Sequence, residues 1–273
     1  MNESFSLSPG KWVTASFLGT TAAAGGIVAI ALVSLPTAIA TIGIVALSAL
    51  AILGASLLTI SLMNLYSKHR FNRLLKENLS DDGKKVDLSS QDIRSVDIKF
   101  LAASLPSTLT HLDLSLNQIE DDGAAALARA LSSSSLTALD LSGNSIGAAG
   151  ADTLARALRS SHLNVLNLSS THIGAAGAAA LAAALSSSSL QELNLNSNGI
   201  GDTGAAALVG VRSSLKKLRL SWNQNIGDAG GAALAAAVRS SSLTLLTLEM
   251  TGLGEATLNQ IRLANPKISI TAG

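Results

Sequence analysis

The chain has 273 residues, 48% hydrophobic and only 14% charged, with a formal net charge of +1. So even a balance lacks the basic field that nucleic-acid binders carry, and no nucleic-acid partner is expected. The absence of cysteine excludes a disulfide framework, a thiolate metal site and a cysteine nucleophile.

Residues 1–11 form a short polar N-terminus, and residues 12–67 contain no Asp, Glu, Lys or Arg. A bilayer-spanning helix takes about 20 apolar residues, so 12–66 is too long for one span and suits two. The Ser34-Leu-Pro-Thr37 break disfavours helix before its proline. The segment therefore predicts an all-α, two-helix transmembrane hairpin, with helices over about 12–34 and 38–65. Ala22 and Gly26, like Ala51 and Ala55, are spaced for close helix packing in lipid. Trp12 and Tyr66 stand at the outer ends, where amphipathic aromatics favour the interface. Lys11 precedes the block, and Lys68, His69, Arg70, Arg73 and Lys76 come after it. Basic flanks favour the cytoplasmic side, which predicts a multi-pass membrane protein with both termini cytosolic. A buried soluble hairpin, or a signal peptide cleaved near Ala22–Ala24, would also use an apolar stretch. Both fit less well, because residues 83–273 read as a self-contained fold and a cleaved first helix would leave the second behind.

In the linker 67–82, Phe71, Leu74, Leu75 and Leu79 recur at helical spacing. This helix either caps the open end of the next domain or lies on the membrane as a juxtamembrane element.

From Gly83 to the C-terminus the chain repeats itself. The copies begin at Gly83, Leu109, Leu136, Leu163, Leu190, Leu215 and Leu243, and the last runs into "NPKISI", a terminal edge strand. Each opens with "LxxLxL", a short strand whose leucines alternate inward. Asn117, Asn144, Asn198 and Asn223 stand at the ninth position, where an amide can satisfy loop backbone that no sheet partner reaches. Thr171 and Thr251 replace that Asn, which predicts looser turns. A glycine turn, an Ala/Leu helix and a run of serines complete each unit. No copy can bury its leucines alone, so the copies must stack into one core. Strands about 4.8 Å apart opposite helices about 10 Å wide force a curve, which the narrow Ala-rich helices soften.

The pattern "LxxLxLxxNxIgxxGaxxLaxaL" over about 83–270 resembles the ribonuclease-inhibitor-like class of leucine-rich repeats. That resemblance implies an α/β solenoid, a horseshoe with parallel strands concave and helices convex. The polar N-terminus and bilobed apolar block of 1–66 are similar in layout to chlamydial-type inclusion membrane effector proteins. That likeness implies a secreted bacterial effector in a host vacuole or inclusion membrane, displaying its repeats to the host cytosol.

One motif competes with this reading. Gly199, Gly201 and Gly204 spell G-x-G-x-x-G between a strand and a helix, the context of a dinucleotide fingerprint. Gly201 and Gly204 nevertheless align with Gly147 and Gly150 and with Gly227 and Gly230, so they belong to the repeat. Arg219 stands where the ribose-binding acid would be. No nucleotide, cofactor or metal is expected, nor any catalytic group. His111 and Asp113, two apart on one strand, read as a solvated polar pair.

The variable strand positions point to a protein partner on the concave face. Early copies are small there, whereas Glu192, Asn194, Lys217, Arg219, Trp222, Glu249 and Met250 cluster in the later ones. Trp and Arg dominate interface hot spots. Trp222 either contacts that partner or shields the "WNQNIGDAG" loop. The sequence thus predicts a non-enzymatic, membrane-anchored interaction scaffold. The alternative is a regulator of a small GTPase, by analogy with members of the repeat class that activate Ran-type GTPases.

Overall fold

The computed structural model describes residues 69–209 and 214–272, and the predicted hairpin lies outside them. Among the described residues no helix is long and apolar enough to cross a membrane. They begin with helix α1 (69–78), after which strands and helices alternate. The strands are β1 (Lys85–Asp87), β2 (His111–Asp113), β3 (Ala138–Asp140), β4 (Val165–Asn167), β5 (Glu192–Asn194), β6 (Lys217–Arg219), β7 (Leu245–Thr247) and β8 (Ser269–Thr271). The helices between them are α2 (Ser95–Ser104), α3 (Asp121–Leu131), α4 (Ala148–Leu158), α5 (Gly174–Leu185), α6 (Gly201–Val209), α7 (Asp228–Val238) and α8 (Glu255–Ala264).

The eight strands form one parallel sheet in sequence order, β1 to β8. The register is constant, with Leu112, Leu139, Leu166, Leu193, Leu218 and Leu246 directly opposite one another. These leucines and the second leucine after each, such as Leu114 and Leu141, are at most 2% exposed. Leu127, Leu131, Leu154, Leu158, Leu181 and Leu185 close the core from the helix side. The return serines cap the helix ends. Ser133 and Ser134 donate both N–H and hydroxyl back to the carbonyls of Ala130 and Leu131, groups that a helix end leaves unmet.

The ladder asparagines tie repeat to repeat. Asn117 Oδ1 accepts from Gln91 and Ile93 N–H, while its Nδ2 donates to Leu88 O and Leu114 O. Asn144 and Asn223 repeat this toward Ile119 and Ile200, and Asn198 toward Ile173. Thr171 is fully buried, and its hydroxyl lies 2.7 Å from Leu168 O and 3.0 Å from Asn198 Oδ1. It satisfies its own turn but sends no bond to the repeat before it.

The helix starts are coupled in a way the sequence did not announce. The N-cap of α4 is Gly147, which has no side chain to cap with. Asp121 of the preceding helix does it instead, accepting from Gly147 N–H at 2.7 Å and Gly150 N–H at 2.9 Å. Asp202 serves Gly227 and Gly230 of α7 in the same way. Asp228 accepts from Gly254 N–H at 2.9 Å and the Thr257 hydroxyl at 2.6 Å. The equivalent residues before α5 and α6 are Ala148 and Ala175, which cannot accept. Where an Asp is present, the glycine is extended, with φ of −96° at Gly147, −98° at Gly227 and −73° at Gly254. Where it is absent, Gly174 and Gly201 turn left-handed, at +62° and +65°.

Helix α1 packs against the first repeat. Phe71 and Leu75 are buried in the shared core. Arg70 donates to Gln91 O at 2.9 Å. Leu79 bridges antiparallel to Val86, and Ser80 N–H donates to Lys85 O, so the outer edge of β1 is covered.

Candidate functional site

The G-x-G-x-x-G segment is explained by packing. Gly199 and Gly201 are left-handed turn residues. A Cβ on Gly204 would stand 2.5 Å from Ile200 Cγ2 and 3.1 Å from Ala175 Cα, so this glycine lets two helices approach closely. The strand order never reverses, so the sheet has none of the crevices where open α/β sheets bind dinucleotides. His111 and Asp113 are each bonded elsewhere. The imidazole Nδ1 lies 2.8 Å from the Thr110 hydroxyl, and Asp113 accepts from Ser115 N–H. Among the described residues no group of His, Cys, Asp and Glu could hold a metal ion.

The sheet's outer face carries the variable side chains in register rows. One row begins Asp87, Asp113, Asp140 and continues Asn167, Asn194, Arg219, Thr247. Hydrogen bonds from the Ser89 hydroxyl and N–H hold the Asp87 carboxyl below the usual carboxylate range. Asp140 accepts from Asn167 Nδ2 at 2.7 Å.

Toward the C-terminal end the residues singled out in the sequence come together. Glu192 Oε1 takes Lys217 Nζ at 2.6 Å, and Arg219 Nη1 stands 3.9 Å from Glu192 Oε2. Asn194 lies beside Arg219 in the register. Trp222 N–H donates to Glu249 O at 2.8 Å, which sets Trp222 beside the turn that carries Met250. Trp222 is 55% exposed and Met250 44%.

Sequence reading missed what Trp222 and Met250 share. In every described copy the residue just before the ladder position is left-handed: Ser90, Leu116, Gly143, Ser170, Ser197, Trp222 and Met250 have φ between 53° and 66°. Left-handed backbone costs an L-residue roughly 1–2 kcal/mol and normally selects Gly or Asn. Leu116 is 65% exposed at this place, in a copy that read as bland. Its side chain lies over Gly143, where a Cβ would come within 2.7 Å of it. Gly143 aside, the residue types at these positions do not signal the conformation, because Ser, Leu, Trp and Met all disfavour it.

A model of the Leucine Rich repeat family matches residues 106–128, 132–155, 159–182, 186–209 and 213–235. No curated protein matches the chain. Among solved structures, 83 chains match. One is from the crystal structure of the Rad7 and Elc1 complex in yeast, at 20% identity and a TM-score of 0.46, covering 66% of this chain and 44% of that one. This chain thus spans less than half the length of that relative. Another is the leucine-rich repeat-containing protein LegL7 from Legionella pneumophila, at 15% identity and a TM-score of 0.41, covering 75% and 86%. At these identities the likeness concerns the fold alone.

Proposed function

We propose that this chain of leucine-rich repeats is a membrane-anchored protein-interaction scaffold. The 12–66 hairpin places it in a bilayer with both termini on the cytosolic side, and the outer strand face recruits a protein partner at its C-terminal end. The observation that carries the reading is Trp222 and Met250, exposed on strained backbone beside Lys217 and Arg219. A large exposed side chain on costly backbone brings the fold no return, whereas an interface uses it as an anchor. The anchoring half rests on the uncharged stretch 12–67 and its basic flanks. The layout shared with inclusion membrane effectors extends the proposal to a secreted effector that displays its repeats to a host cytosol.

Two measurements test the two halves. In sealed vesicles, tags at both termini are digested by protease added on the cytosolic side. Protection of the N-terminal tag would leave one span or a cleaved leader, and the cytosolic display would fall. Changing Trp222 and Arg219 together to Ala abolishes partner capture and leaves the circular dichroism spectrum unchanged. Undiminished capture would sink the C-terminal site.

A further inference from the structure

At the C-terminal end of the strand face the bonds inside the chain leave specific groups unspent. Glu192 is satisfied by Lys217 at 2.6 Å. The Arg219 guanidinium, 34% exposed, donates no hydrogen bond among the described residues and meets only Glu192 Oε2, at 3.9 Å. Thr247 stands directly across from Arg219 in the register, and its hydroxyl is buried without a hydrogen-bond partner. Burying a hydroxyl unpaired is costly, and native structures rarely do it. In the turns that follow these two strands Trp222 and Met250 are exposed, and the Trp222 N–H donates to Glu249 O across the adjoining repeats.

We infer that this corner takes a polypeptide segment presenting one carboxylate beside a large apolar side chain. The carboxylate accepts from the Arg219 guanidinium fork, which matches its geometry. The apolar side chain covers Trp222 and Met250. The charges favour this occupant over a basic one: Lys217 already neutralises Glu192, so Arg219 is the surplus charge within the pair of strands. Exposed Glu249 sets the polarity, because it repels the partner's carboxylate toward Arg219. The inference rests on the scaffold reading and specifies its partner's chemistry.

The test pans a random dodecapeptide phage library on the full-length chain in detergent micelles, with counter-selection on empty micelles. Binding of the enriched peptides is then measured by fluorescence anisotropy. Peptides with Asp or Glu next to Leu, Ile, Met, Phe or Trp are expected. Arg219→Gln weakens them about tenfold or more, and so does changing the peptide's acid to its amide, while the two together cost no more than either alone. Glu192→Gln tightens binding by removing the competing carboxylate. Trp222→Asn, which suits left-handed backbone, loses binding without lowering the melting temperature. Enrichment of basic or uncharged peptides overturns the inference, and so does a fall of more than about 5 °C in the Trp222→Asn melt, which would make Trp222 a shield for its loop. Peptides indifferent to Arg219 and Trp222 but lost with Leu116→Ser sink this inference and keep the scaffold. If no peptide binds through the strand face, both fall.

Discussion

At the scale of single residues, this fold is held by side chains that complete backbone bonds the strands are too short to make. Asn144 is 3% exposed and serves Ile119 N–H, Leu114 O and Leu141 O. Asn144→Ala leaves those groups unmet, and a loss of about 2–4 kcal/mol is expected in denaturant titration. Thr171→Asn adds the missing bond to the preceding repeat, and a gain of about 1 kcal/mol is expected in the same measurement. The asparagines were legible because each recurs at one offset. The left-handed residue beside each was not, since it is a backbone state that seven different contexts impose on five residue types. The glycines differ by the same logic. A Cβ on Gly174 would meet nothing within 4 Å, so Gly174→Ala isolates the conformational cost of φ +62°. About 1–2 kcal/mol is expected for it, whereas Gly147→Ala, at extended φ, stays within about 0.5 kcal/mol of the parent.

At the scale of elements, α4, α7 and α8 are capped by an Asp of the preceding helix. The acidic residues were visible in the sequence as ordinary first-turn charges, yet the groups they bond lie 25 to 29 residues away, beyond any local pattern. Ala148→Asp and Ala175→Asp supply the two absent caps. Each is expected to add about 1 kcal/mol, seen as a rise of about 2–4 °C in melting temperature. With Ala148→Asp in place Gly174 is drawn extended, so Gly174→Ala then costs far less than in the parent; additive losses would refute the coupling. The existing cap at Asp228 carries a pH signature. Hydrogen bonds from the Thr257 hydroxyl and Gly254 N–H hold its carboxyl below the ordinary 3.8. A depressed pKa contributes stability that is complete above the ordinary value and is lost as pH falls through the folded value. Melting curves of Asp228→Ala therefore lie below the parent's at pH 7, and the gap narrows as pH falls below 3.8.

At the scale of the whole repeat domain, the contacts run between neighbours, so damage is local. Phe71 is fully buried under the first repeat, and Phe71→Ala is expected to cost about 3–5 kcal/mol. Hydrogen exchange should then accelerate first in β1 and α2, while β5 to β7 keep the parent's protection. Uniform acceleration would show a single cooperative block instead. Strand count, register and helix face were all legible, because leucine spacing alone fixes them. The strand-face corner was legible as a list of residues but not as a chemistry. Only the geometry pairs Glu192 with Lys217, leaving Arg219 and Thr247 unspent.

The forward capping has a bearing on how such a chain could arise. Leu109, Leu136, Leu163 and Leu190 are evenly spaced, and each Asp or Ala at the helix start addresses only the next unit. An in-frame tandem duplication of one unit's coding stretch therefore makes a single new seam, capped wherever the duplicated unit carries the Asp. Recombination can then lengthen or shorten the binding face, while the exposed left-handed residue of each new copy is free to diverge.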